Sequence, residues 1–184
     1  MRLLNRYTVF CSRLSTWSDQ WFLGTLMRFI FAAVLFQYFW NSALTKLGSG
    51  LTGILSPSVG AYAQILPQMM ERVGYDVSQV PFMPFGLIVL LGMWAEFLLP
   101  IMIVLGAMTR LASLGFIVFI AVMSYVDVTG HHLEAASIGA WFDGNPASII
   151  ADQRFLWVGI LCVLVMKGAG QLSVDYLLLR HNPR

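Results

Sequence analysis

Two acids and three bases fall where this sequence can least accommodate them. Glu96 lies near the middle of an apolar run from Phe85 to Leu105, and Arg28, Lys46, Arg110 and Asp127 stand inside or at the ends of other apolar runs. A carboxylate at the centre of a lipid-spanning helix costs roughly 2.5–3.5 kcal/mol on insertion scales, so each such charge needs a partner or a polar cavity. Two kinds of chemistry are then available. A closed ion pair fixes how two helices pack, whereas the same pair facing a cavity can hold a proton or a ligand. Arg28 stands six residues into its run and Glu96 nine from the corresponding end of its own, which predicts heights within ~4–5 Å and an Arg28–Glu96 pair. Arg28 and Lys46 are 18 residues apart, five whole turns, so the spacing predicts one shared helix face, with Lys46 meeting Asp127 at the far end. Pro100 follows Glu96 by four and has no N–H for its carbonyl, which places a freed acceptor on the same turn as the acid. Gln37 and Asn41, four apart in the first run, are expected to bond another helix.

A second group of residues has metal-ligating types. His131, His132, Glu134 and Asp143 share one polar stretch, and Met69 and Met70 in another would add soft sulfur ligands suited to copper(I). Adjacent histidines point apart on most backbones and no i, i+4 pair is present, so a solvated loop is the competing reading and the one the spacing favours. No phosphate-binding glycine loop, dinucleotide fingerprint or Ser/His/Asp pattern occurs.

The elements that must position these residues are apolar helices. The chain has 184 residues, 58% hydrophobic and only 11% charged, where a soluble domain has about a quarter. That balance reads as an integral membrane protein, and the net charge of +2, scattered over the loops, argues against a nucleic-acid partner. Runs at about 22–44, 85–105, 111–126 and 155–166 are predicted to span the bilayer. The five residues Gly106 to Arg110 make the second and third spans antiparallel neighbours. Residues 1–21 interleave Arg2, Arg6 and Arg13 with Leu3, Leu4, Tyr7, Phe10 and Leu14, as in a basic amphipathic arm on the membrane surface, with a disordered tail as the alternative. The segments 58–74 and 131–151 are expected to form short interfacial helices or ordered caps, because Tyr62, Ile65, Leu66, Trp141, Phe142, Ile149 and Ile150 would otherwise make an exposed apolar patch. Ser173 is placed to cap a final amphipathic helix to Arg180, ahead of a basic tail over 180–184. Cys11 and Cys162 lack C-x-x-C spacing and read as inert thiols.

The predicted class is therefore an all-α membrane protein: a four-transmembrane-helix bundle with outer-surface interfacial helices and a C-terminal amphipathic helix. Seven Lys and Arg residues fall on the side of the termini and three on the other, which predicts cytoplasmic termini and an inner-membrane location.

Several stretches together resemble the DoxX family of small four-helix bacterial membrane proteins. They are Arg28 opening the first span, WNSALTKLGSG around Lys46, Glu96 before LLP, GAMTRLASLGFIVFIAVM at 106–123 and GAGQLSVD at 168–175. The last of these, with Gly168, Gly170, Ser173 and Asp175, is the most specific, and the similarity covers about residues 22–179. The resemblance implies a membrane subunit, some relatives of which accompany quinone-linked redox, oxidative-stress or metal-stress systems. A quinone is the cofactor it brings into view, and a membrane or periplasmic redox protein or a second copy of the chain is the partner. A proton-coupled or small-molecule carrier and a scaffold for a periplasmic protein are the other function classes left open.

Overall fold

The computed structural model of the chain describes residues 1–50 and 52–181; the last three residues of the basic tail lie outside it. The first helix, Arg2–Trp17, has no buried residue. Arg2, Arg6 and Arg13 recur at +4 and +7 and so form one stripe, while Leu3, Tyr7, Phe10 and Leu14 form the adjoining one. The helix is an amphipathic arm whose apolar stripe is exposed.

Four helices are long and apolar enough to cross a membrane: Leu23–Lys46, Phe82–Leu105, Thr109–Thr129 and Ile149–Lys167. The first contains a wide π-helical turn, Ala32–Phe36. Phe31, Leu35 and Phe39 run through it at successive +4 steps and are all buried. Within the second, Met83 departs from helical geometry, and the regular helix over Leu87–Leu105 continues through the buried Pro100. The fourth begins earlier than its apolar run suggests because Ser148 and Asp152 cap each other. The Ser148 hydroxyl accepts from the Asp152 amide at 3.2 Å, and the Asp152 carboxylate accepts from the Ser148 amide at 2.9 Å.

Each span packs against its predecessor, and the fourth closes on the first, giving an up-down-up-down bundle. Its core is Phe31, Leu35, Phe39, Ile103, Phe116, Ile120, Leu161 and Leu164. Phe116 meets Phe31 and Phe39 edge to face, with ring centroids 5.5 and 4.6 Å apart. In lipid this gain comes from van der Waals packing, because the tails outside are as apolar as the core.

Two short helices, Val59–Ile65 and Pro67–Arg72, sit over the loop end. Ser58 ties them down: its amide donates to the Lys46 carbonyl, its hydroxyl to the Thr45 carbonyl, and the hydroxyl accepts from the Ala61 amide. Ala61, Tyr62 and Met70 pack with Val89 into a small second core. Further along, the exposed Asp76 carboxyl is held below the usual carboxylate range by the Ser78 hydroxyl and amide. In the 131–151 segment the order is thinner: one helical turn, Ala135–Ile138, and Trp141 donating to the Ala151 carbonyl at 2.9 Å, and contrary to expectation Trp141 and Phe142 stay exposed.

At the end carrying both termini the first span meets the end of the fourth backbone to backbone. A Cβ on Gly24 would lie 2.4 Å from the Gly168 carbonyl oxygen, which is backbone and cannot swing aside. Gly24→Ala is therefore expected to cost ~1–3 kcal/mol through overpacking, read as a lower midpoint of thermal unfolding in detergent. A midpoint equal to the parent's would show that the first and fourth spans separate there without penalty.

Candidate functional site: a four-charge cavity at the loop end

Glu96 pairs with Lys46. The Lys46 ammonium donates to Glu96 Oε2 at 2.7 Å, and both side chains are almost wholly buried, 2% and 4% exposed. It also donates to the Ser42 hydroxyl at 2.9 Å, one turn back on the same helix. Every Cα–Cβ bond leans toward its own helix N-terminus, and the first and second spans are antiparallel. Lys46 therefore reaches inward from the loop end while Glu96 reaches outward to meet it, closing a backbone offset of several residues.

The same rule overturns the expected Arg28–Glu96 pair. Their Cα heights are comparable, but Arg28 leans toward the terminal end and Glu96 away from it. Arg28 instead donates to four carbonyls: Ile103 at 2.9 Å, Ala169 at 3.0 Å, Val104 and Leu172. The expected Lys46–Asp127 pair is replaced as well. Asp127 pairs with Arg154 at the start of the fourth span, and Arg154 Nη1 donates to the Ser124 hydroxyl at 2.9 Å. Ser124 and Asp127 lie nearly one turn apart on the third span, so they present a joint face to the neighbouring fourth. Gln37 and Asn41 likewise bond each other, at 2.9 Å, on an exposed face rather than reaching another helix.

Both ion pairs open on one cavity of about 460 Å³ between the second and third spans. Tyr38, Ser42, Lys46, Glu96, Asp127 and Arg154 form its polar end, while Leu91, Val118, Phe119 and Val122 are among its apolar walls. Two cations and two anions cancel, leaving a polar site without net charge. Arg154 is 5% exposed, and its Nε–H is buried without an acceptor among the described residues.

Arg28 and the 168–175 stretch belong to the other end. Gly106 takes the left-handed conformation (φ 69°, ψ 40°) that ends the second span, and the Ala107 and Gly106 amides donate back to the Met102 and Ile103 carbonyls. Arg28 covers the adjacent carbonyls, and a Cβ on Gly106 would lie 2.8 Å from its guanidinium carbon. Asp175 caps the third span from a distance in sequence: its carboxylate accepts from the Met108 and Thr109 amides at 2.7 and 2.9 Å. Gly168 and Gly170 carry positive φ, and the Ser173 hydroxyl accepts from the Tyr176 amide at 3.1 Å as the cap of Val174–His181. Four chain segments are thereby stitched into one knot. Arg110 lies exposed beside it, with Nη2 3.4 Å from the Met166 carbonyl.

Of the metal-type residues, His131 donates from Nε2 to the Gln64 carbonyl at 3.0 Å, His132 is exposed, Met70 is packed in the small second core, and Met69 is partly buried. Among the described residues no group of three His, Cys, Asp or Glu side chains could share an ion.

Arg154, Tyr38, Ser42 and Ser124 are the site residues that sequence reasoning missed. Only Ser42 carried a local signal, standing four residues before Lys46 on the same face. Arg154 counts as a loop charge until the reciprocal Ser148–Asp152 cap extends the helix to include it.

No curated protein and no solved structure matches the chain. The sequence model of the DoxX family matches residues 23–131, which hold the first three spans with Arg28, Lys46, Glu96 and Asp127, and the match covers more than half of the protein. With a four-span helical bundle around those residues, the chain belongs to the DoxX family.

Proposed function

We propose that this DoxX protein is an accessory membrane component of a quinone-linked redox system or of an oxidative- or metal-stress system in the bacterial inner membrane. The observation that carries the reading is the pair of buried ion pairs facing a single cavity at the loop end. Purely structural pairs would gain from closure on each side, whereas these border open space. A carrier is less well supported, because alternating access must open both ends and the Arg28–Gly106–Asp175 knot closes the terminal one. The distribution of Lys and Arg favours cytoplasmic termini. Reporter fusions at Gly60 and Asn145 should then give periplasmic signals and one after Arg184 a cytoplasmic signal; a periplasmic C-terminus would invert the site's location.

The functional test is chromosomal. A strain carrying the Lys46→Met/Glu96→Gln double variant, expressed at parental level, should lose tolerance to oxidant or metal challenge and shift the reduced fraction of its quinone pool. Tolerance and quinone poise equal to the parent's, with a deletion strain impaired, would remove the cavity from the function. A deletion strain indistinguishable from the parent would remove the stress role itself.

A further inference from the structure

The cavity opens sideways. Leu91, Val118 and Val122 line it and are also 55%, 57% and 55% exposed on the bundle surface, where acyl chains lie. Between the second and third spans, Ala95 and Gly115 are small, and a Cβ on Gly115 would meet only Leu99, at 3.5 and 3.9 Å. The crevice leads from lipid to the polar end, so a ligand enters head first and leaves its tail among the acyl chains.

The charges select the head. Each cation is already matched by a carboxylate, so a phosphate or carboxylate head would arrive beside Glu96 and Asp127 with no unmatched positive charge to hold it. What the site still offers is neutral hydrogen bonding: Tyr38, Ser42 and Gln64 line the cavity beside Arg154, whose enclosed Nε–H has no acceptor among the described residues. Such groups fit carbonyl or hydroxyl oxygens. The volume, about 460 Å³, lies within the ~300–1,000 Å³ usual for a bound organic ligand.

We propose that the cavity binds a neutral, long-chain amphiphile whose head carries carbonyl or hydroxyl oxygens, drawn laterally from the leaflet at the loop end. This rests on the reading of the cavity as the working site and adds its ligand class. A lipid-borne quinone and a diacylglycerol share that chemistry.

Binding to the full chain in nanodiscs, read by native mass spectrometry, separates the cases. The probes are a short-tailed benzoquinone, dioctanoylglycerol and dioctanoylphosphatidylglycerol. At least one neutral probe should bind at one per chain, the one that binds naming the source. Its affinity should fall roughly tenfold when Ala95→Phe fills the crevice or Val118→Trp crosses its mouth, and stay unchanged in Leu111→Trp, an exposed position at the terminal end. Using two blocking variants guards against one that misfolds, and each is compared only if its thermal unfolding midpoint matches the parent's. The inference is overturned if the anionic lipid binds as tightly as the neutral probes, if neither neutral probe binds, or if a folded blocking variant binds like the parent. Binding that passes while the Lys46/Glu96 strain keeps parental tolerance and quinone poise would remove the cavity from the stress role and leave the ligand class standing.

Discussion

Lys46→Met and Glu96→Gln should each destabilise the protein, Lys46→Met by about 3–5 kcal/mol and Glu96→Gln by less, and the double variant should recover most of the loss. The size follows from burial: with side chains 2% and 4% exposed, removing Lys46 leaves an almost wholly buried carboxylate without its counter-charge. Removing Glu96 strands an ammonium that keeps one good hydrogen bond, to the Ser42 hydroxyl, so that single variant should be the milder. Thermal unfolding in detergent of the parent, both singles and the double forms the cycle that isolates the pair. Additive losses would mean that the two side chains do not share an interaction. The Arg28→Met/Glu96→Gln double, by contrast, should be additive, because those residues contact different groups at different ends of the bundle.

The second large effect is expected from Arg28→Lys. A guanidinium presents a rigid fork of donors, and here it covers carbonyls of Ile103, Val104, Ala169 and Leu172 at once. An ammonium keeps the charge but cannot reach four acceptors set around one plane. With several carbonyls unmet at ~1 kcal/mol or more apiece, the loss should be on the order of 3 kcal/mol, and Arg28→Met should be worse. Limited proteolysis supplies a readout of place as well as size: cleavage should appear first around 168–173, where the knot opens, while the 46–58 loop stays protected by Ser58. A variant as stable as the parent, with unchanged cleavage, would show that the Gly106 turn and Asp175 hold that end without the arginine.

Both effects concern residues that sequence reasoning singled out but assigned to other partners. Helix period and apolar run length are local properties, so the four spans, the all-helical class and the Ser173 cap could be read directly from residue order. The +4 and +7 spacing likewise gives the two stripes of the Arg2–Trp17 helix, which has no buried residue among those described. Pairing is not local. Between antiparallel helices the Cβ bonds lean in opposite directions, so Lys46 and Glu96 meet across an offset in backbone height while Arg28 and Glu96, at comparable height, are sent apart. Arg154 required still more: a cap at Ser148 had to extend the fourth span before its guanidinium could stand opposite Asp127. Residue order determined which charges would lie in the membrane and therefore need partners. Only the packing of antiparallel helices decided which partners they found, because a side chain's reach is directional and its direction is set by the helix that carries it.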